Sequence, residues 1–254
     1  MQFEPVPGEP VGVADTGRSR ILVIADYHAG LERSLRREGV ELESRGETRS
    51  DRTMALVDRT GVDELLFLGD LATSIGAPRY GEADELEKLL RMLAARLPVT
   101  ITKGNHDGEI ESLVDEISMA HPVTVVDGPG VRIGSVGFAH GHTWPAPEVL
   151  AAETICIAHE HPVVRLEDEV GGARVERVWL RGQVAAEPFA QQLEAPNLEV
   201  AADLVVCPGF NELSGGTWVN VDGDDFLCPF LPDGLLDGEA YLLDGTRLGD
   251  YQRL

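Results

Sequence analysis

The sequence predicts an α/β chain with two sheets, the first mostly parallel and covered by helices. Short apolar runs alternate with amphipathic stretches from Ile21 to Thr102. That β-α-β-α-β order gives parallel strands with crossover helices. After about Ile117 the pattern changes to short strands separated by Gly- and Asp-rich turns, which reads as a second sheet. No stretch is long enough to act as a linker, so residues 1–254 are expected to form a single domain.

Met1–Ser19 is rich in Pro and Gly and is expected to be loop or edge strand. Ile21–Ala25 is a continuous apolar run, read as a buried strand, with Asp26 at its end. Leu31–Gly39 and Ser50–Thr60 have helical patterning, joined by the charged connection Glu41–Arg49, and Gly61 fits a helix stop. Leu65–Leu68 is a second buried strand, closed by Gly69-Asp70. In Glu82–Leu97 the leucines 86, 89, 90, 93 and 97 recur at helical spacing, and Pro98 ends the run. Val99–Thr102 is a third strand, followed at once by Gly104-Asn105-His106-Asp107. A helix near Ile110–Ile117 leads to short strands at Val123–Val126, Val131–Ile133 and Ser135–Ala139, with the turn Asp127-Gly128-Pro129-Gly130 after the first. The last ends in His140-Gly141-His142. Pro147–Glu153 fits a helix, and Ile155–Ala158 is a buried strand ending in His159-Glu160-His161. Val163–Leu166 and Val175–Leu180 flank Glu169-Val170-Gly171-Gly172 as a hairpin. Further strands are expected near Leu204–Cys207, Thr217–Val221 and Ala240–Leu243.

Composition narrows the class. Hydrophobic residues make up 43% of the chain, enough for a sizeable core. No apolar run approaches the about 18 residues of a membrane span. The N-terminus lacks a basic segment before an apolar one, so a cytoplasmic protein is expected. Cys156, Cys207 and Cys228 lack metal-type spacing and sit in or beside apolar runs, as core thiols do. The net charge is −23, from 44 acidic and 21 basic residues, and only Lys88 and Lys103 are lysines. Such a surface repels nucleic acid and acidic membranes in ordinary salt. It also resembles proteins of salt-accumulating archaea, where a Debye length of roughly 3 Å removes most of that repulsion. The charge therefore suggests a halophilic habitat and does not exclude a DNA substrate.

Five strands in order finish on metal-type ligands: Asp26-Tyr27-His28, Gly69-Asp70, Gly104-Asn105-His106-Asp107, His140-Gly141-His142 and His159-Glu160-His161. Six of the seven histidines belong to this set, His121 being the exception. Singly, each piece also reads as a solvated strand end or a polar turn. Sites in open α/β sheets form beyond the carboxyl ends of the strands, where all five lie. In an extended segment His159 and His161 would share a face and could reach two adjacent metal ions or clamp one. Mixed imidazole and carboxylate donors suit Mn, Fe, Co, Ni or Zn better than Ca or Mg, and no thiolate joins them.

This order of motifs, from Ile21 to Pro162, resembles the calcineurin-like metallophosphoesterase superfamily. The resemblance implies a four-layer α/β/β/α sandwich of two mixed sheets with a dinuclear metal site at the strand ends. It places Asp26, His28 and His161 on one metal, Asn105, His140 and His159 on the other, and Asp70 between them. Two divalent transition metal ions are implied, manganese first, with phosphomonoesters or phosphodiesters hydrolysed by a two-metal-activated hydroxide. His106 would face the leaving group as a general acid, with Asp107 fixing its tautomer. His142 either touches substrate or is a hydrogen-bonded loop histidine.

Gly69-Asp70-Leu71-Ala72-Thr73-Ser74 and Asp107 depart from the serine/threonine protein phosphatases. The sequence looks closer to archaeal phosphoesterases related to the double-strand-break repair nucleases and DNA-ligase-associated phosphoesterases. Thr73 stands where those nucleases usually carry a histidine, and Ala158 where a Gly is usual. The segment Cys207-Pro208-Gly209-Phe210-Asn211, with Gly215-Gly216 and Asn220, shares the resemblance without an assigned role. A phosphate-ester substrate is expected, with nucleotides or nucleic acid open and a nuclease as the alternative enzyme. No basic helix or aromatic platform for a strand is evident in the sequence. A non-catalytic scaffold that keeps the fold is the alternative of another class.

Overall fold

A computed structural model describes residues 2–79, 81–118, 120–167, 171–221 and 225–254. The first sheet runs in chain order through β1 (Phe3–Pro5), β2 (Val11–Asp15), β3 (Arg20–Ile24), β4 (Glu64–Leu68), β5 (Val99–Thr102) and β6 (Val123–Val126). β1, β2 and β3 pair antiparallel, and β3 to β6 pair parallel. Its outer face is covered by α1 (Leu31–Arg37), α2 (Gly46–Thr60), α3 (Glu82–Ala94) and α4 (Ile110–Glu116). Leu86, Leu89, Leu90 and Leu93 of α3 pack there on Leu22, Ile24, Leu65 and Phe67.

The second sheet comprises β7 (Val131–Ile133), β8 (Val136–Phe138), β9 (Thr154–Ile157), β10 (Val163–Glu167), β11 (Ala173–Val184), β12 (Asp203–Val206), β13 (Leu235–Leu242) and β14 (Arg247–Asp250). Its main path is β14-β13-β11-β12-β9-β8-β7, with β10 paired to β11. α5 (Pro147–Leu150) and α6 (Ala186–Gln192) belong to its outer side, where Val149, Leu150 and Phe189 join Ile155, Ile157 and Leu180. Between the sheets, Ile21, Val23, Leu66 and Leu68 meet Phe138, Cys156, Trp179 and Val205. The result is a four-layer α/β/β/α sandwich. All three cysteines are free and buried.

Several elements differ from the sequence reading. α2 begins at Gly46, inside the expected connection, because Arg49 works from within the helix. Its buried guanidinium meets Glu32 of α1 at 2.6 and 3.2 Å and Glu85 of α3 at 2.8 Å, tying three helices together. Val123–Val126 is not the start of the second sheet but the sixth strand of the first. The chain changes sheets at the turn after it. Thr217–Val221 is not a strand. It touches β10 through one bridge, Val163 to Trp218. The Asn220 side chain then takes over, accepting from the Arg165 N–H at 2.9 Å and donating to its carbonyl at 2.8 Å. α6 and β14 carried no sequence assignment, because neither has a long enough apolar run. Of the expected hairpin turn, Glu169 and Val170 lie outside the described residues.

Candidate metal centre

The functional side chains come directly after parallel strands of both sheets: β3, β4 and β5 from the first, β8 and β9 from the second. The carboxyl ends of the two sheets thus face one another across a single cleft. Asp26, His28, Asp70, His159 and His161 all have positive φ, between 44° and 71°. They account for five of the seven non-Gly residues in that region among the described residues. Such a conformation costs a side chain about 1–3 kcal/mol and survives only where the surroundings impose it. His159-Glu160-His161 is therefore a turn rather than the extended segment expected, and its two histidines join different donor groups.

The surroundings that impose this are backbone clamps. The His28 and Ala29 N–H groups donate to the carbonyls of Asp70 and Leu71, each at 2.9 Å. On the other side, the Phe210 N–H donates to the Ala25 carbonyl at 2.8 Å. The Asn211 amide nitrogen spans the carbonyls of Tyr27 and His28 at 3.3 and 3.1 Å. Two glycines are required by close approach. A Cβ on Gly69 would lie 2.1 Å from the His140 ring, and one on Gly104 would lie 2.0 Å from Asp70 Oδ1.

The donors fall into two groups, Asp26, His28 and His161, and Asp70, His140 and His159. Within each group the donor atoms lie within 4.8 Å of one another. Asp70 faces both. Its Oδ2 is 3.9 Å from His28 Nε2, and its Oδ1 is 3.5 Å from His140 Nε2. Asn105 Oδ1 lies 3.3 Å from His140 Nε2, beside the second group. These residues fit a pair of cations. Among the described residues, Asp26 Oδ2 and His28 Nδ1 are buried without a hydrogen-bond partner, a costly arrangement for a carboxylate unless a cation satisfies it.

Electrostatics point the same way. For Asp70, burial opposes ionisation, but His140, His28 and His106 hold the carboxyl well below its ordinary range. Asp26 is lowered too, because His161 and His140 outweigh its burial. Burial brings His28 and His159 down to about 4, so both present neutral rings. His140 moves the other way, to about 9, because contact with Asp70 and Asp26 overcomes burial. A cation in the cleft would displace that proton.

His106 Nδ1 lies 2.6 Å from the Thr73 carbonyl, which can only accept, so Nδ1 carries the proton. Nε2 is left pointing inward, 3.9 Å from Asp70 Oδ2. The Thr73 peptide is fixed in turn by buried Glu82, whose carboxylate accepts from the N–H groups of Thr73, Ser74 and Arg79. Asp107 does not take the place expected for it on His106. Its oxygens accept from the N–H groups of Ala72 at 2.9 Å, Gly104 at 2.9 Å and Leu71 at 3.2 Å. Burial pushes its carboxyl up, and those donors pull against it. Asp107→Ala is expected to cost about 3 kcal/mol or more, since three N–H groups lose a buried acceptor. Urea unfolding of metal-free protein checks this, and a loss under about 0.5 kcal/mol would contradict it.

His142 is half-buried and stands beside the ligands, outside the residues that line the cleft cavity. Its ring packs on those of His140 and His159, with centroids at 5.3 and 6.1 Å. Its Nδ1 is buried without a hydrogen-bond partner among the described residues. The segment without an assigned role proves structural to the site. Beyond the Asn211 clamp, the Gly215 carbonyl sits 2.8 Å from His161 Nδ1 and orients that ring. Glu160, fully buried, accepts from Thr217 Oγ1 at 2.8 Å and from the Cys228 and Leu227 N–H groups at 2.6 and 3.2 Å. Sequence reasoning missed Glu82, Glu160 and Asn211 as supports. Asn211 and Glu160 each lie inside a motif visible in the sequence, Cys-Pro-Gly-Phe-Asn and His-Glu-His, and Glu82 lies in none.

Residues 19–207 match the family model for the calcineurin-like phosphoesterases. No curated protein matches the sequence. Among solved structures, the nuclease MPE of Pseudomonas putida is similar with a TM-score of 0.56 and 17% identity. The match covers 97% of this chain and 100% of that one. YfcE, a phosphoesterase from E. coli, gives a TM-score of 0.34 and 21% identity over 58% of this chain and 73% of that one. Among the described residues, no helix is long and apolar enough to cross a membrane.

Proposed function

The chain belongs to the calcineurin-like phosphoesterase family and is a phosphate-ester hydrolase, and from that premise we propose that it cleaves phosphomonoesters or phosphodiesters at a two-metal centre between its sheets. The observation that carries this reading is Asp70, whose two oxygens face histidines of the two different donor groups. In this reading Asp26, His28 and His161 hold one cation, Asn105, His140 and His159 hold the other, and Asp70 contacts both. Two divalent cations held there would polarise a phosphoryl oxygen and make water nucleophilic near neutral pH. Manganese is the first choice, with iron, cobalt, nickel and zinc suited to the same donors.

The chain's own residues supply the rest. His106 can gain or lose a proton only at Nε2, because the Thr73 carbonyl occupies Nδ1. Protonated there, it donates to the departing ester oxygen as a general acid. Glu82 keeps Thr73 in place, so the ring cannot turn its other nitrogen inward. Asn211 clamps the strained backbone at His28, and the Gly215 carbonyl orients the His161 ring.

The test is an assay of chelator-stripped protein in high salt with bis-p-nitrophenyl phosphate and p-nitrophenyl phosphate. Manganese is expected to restore turnover as about two equivalents bind per chain. A protein that binds less than one equivalent and turns over neither ester would instead be a scaffold that keeps the fold.

A further inference from the structure

Five large apolar residues line the cleft cavity, about 610 Å³, beside the histidines: Leu31, Leu35, Leu213, Trp218 and Leu227. Leu31 and Leu35 stand at i and i+4 on α1, which begins three residues after His28. Leu213 follows the Asn211 clamp, its N–H donating to the Asn211 side-chain oxygen at 3.1 Å. Trp218 and Leu227 are placed by Glu160, the buried residue between His159 and His161. Its carboxylate accepts from Thr217 Oγ1 at 2.8 Å and from the Leu227 N–H at 3.2 Å. Its carbonyl accepts from the Thr217 N–H at 2.9 Å. The apolar wall is thus fixed to the same turns that present the metal-type ligands.

Folding does not account for this wall. None of the five residues joins a core cluster among the described residues, and Leu227 keeps 60% of its surface open. Apolar side chains left open around a few convergent polar groups are the usual lining of a small-molecule pocket. Charge narrows the ligand further. Among the described residues no arginine or lysine lines the cavity, and its lip adds the carboxylate of Asp225. The substrate phosphate has the metal-type centre to meet it. A further anionic group on the substrate would meet no fixed cation and would face Asp225. In the reading above the leaving oxygen turns to His106, on the loop after β5. The five apolar residues come from other segments, α1 and residues 213–227, so they flank the ester group that stays on phosphorus.

We propose that the site selects phosphodiesters whose retained ester group is uncharged and apolar, seated against Trp218 and Leu227 with Leu31, Leu35 and Leu213 around it. The inference rests on the phosphoesterase reading above and names the substrate class of the same site. Moving such a group out of water is favourable in proportion to its apolar area, and a ring also gains from packing on the indole. The sequence hid the wall because its residues come from separate segments with no period in common.

The test uses the manganese-loaded full chain and p-nitrophenyl phosphodiesters that share one leaving group. Their second ester group is methyl, phenyl, 4-carboxyphenyl or thymidine 5′. kcat/KM is expected to rise by about tenfold or more from methyl to phenyl, and the 4-carboxyphenyl and thymidine esters should fall below phenyl. Trp218→Ala and Leu227→Ala should each shrink the phenyl advantage, chiefly through KM, which separates binding from the intrinsic reactivity of the esters. Leu227 is exposed, so its truncation reports even if Trp218→Ala weakens the fold. Calorimetry supplies a readout apart from turnover: diphenyl phosphate should bind more tightly than dimethyl phosphate, and Trp218→Ala should narrow the difference. A phenyl advantage unchanged in both variants, with bis-p-nitrophenyl phosphate still turned over, would overturn the wall and leave the phosphoesterase reading standing. An equal fall for all the esters would put the leaving group against the wall and overturn its assignment to the retained group. A thymidine or 4-carboxyphenyl ester preferred over phenyl would overturn the apolar, uncharged class. No turnover of any ester by the wild-type protein would sink the phosphoesterase reading and the proposal with it.

Discussion

His106→Ala is expected to reduce kcat by about 10²–10⁴ on an ester whose leaving group is an alkyl alcohol. The loss should be much smaller on a p-nitrophenyl ester, whose leaving group departs as an anion without needing a proton. The difference arises from Nε2 being the one ring nitrogen free to exchange a proton, with Nδ1 committed to the Thr73 carbonyl at 2.6 Å. The metal content of the variant should match wild type, since His106 belongs to neither donor group. Equal losses on the two esters would mean that His106 positions substrate or stabilises charge and is not the acid. Assays with p-nitrophenyl phosphate and a nucleoside 5′-monophosphate, combined with metal analysis, separate these outcomes.

Asp70→Asn is expected to lower activity by more than the about 10²–10³ lost with a single charge-stabilising group. It should also remove at least one bound cation. Asparagine tolerates the left-handed backbone, so the 45° φ at this position is not newly strained. The change is confined to one carboxylate oxygen, replaced by an amide nitrogen that turns its hydrogens toward either His28 or His140. The same residue accepts the His106 N–H at 3.0 Å, which the remaining amide oxygen can keep doing. Calorimetric titration with manganese and circular dichroism check the two halves of this expectation. A folded variant with wild-type affinity for two cations would show that Asp70 does not lie between them.

The two residues differ in how they could be found. Asp70 is legible in the chain because a four-residue apolar run ends beside it; the same kind of signal marks Asp26, His140 and His159, while Asn105 follows the alternating Val99-Thr100-Ile101-Thr102. An apolar run of four or five residues is buried wherever it lies, so the next polar residues emerge at a sheet end. The parallel order of β3, β4 and β5 comes from the helices between them. For Asp107 the same local signal misleads. Its position in the chain sets it beside His106, yet its carboxylate is consumed by peptide groups 35 and 36 residues earlier. Sheet membership of Val123–Val126 was equally invisible, because a four-residue β strand carries no mark of the partner it will meet.

Residue type and order along the chain thus specify the layers, the strand ends and the donors available there, because hydrophobic burial and strand length act locally. The exact partners of those donors depend on contacts between distant segments. Asn211 reaches the carbonyls of Tyr27 and His28 across about 180 residues, and Glu82 holds the Thr73 peptide that orients His106. None of these contacts has a period or a spacing. Each exists because two sheets close on one another and leave backbone groups that must find a donor or an acceptor.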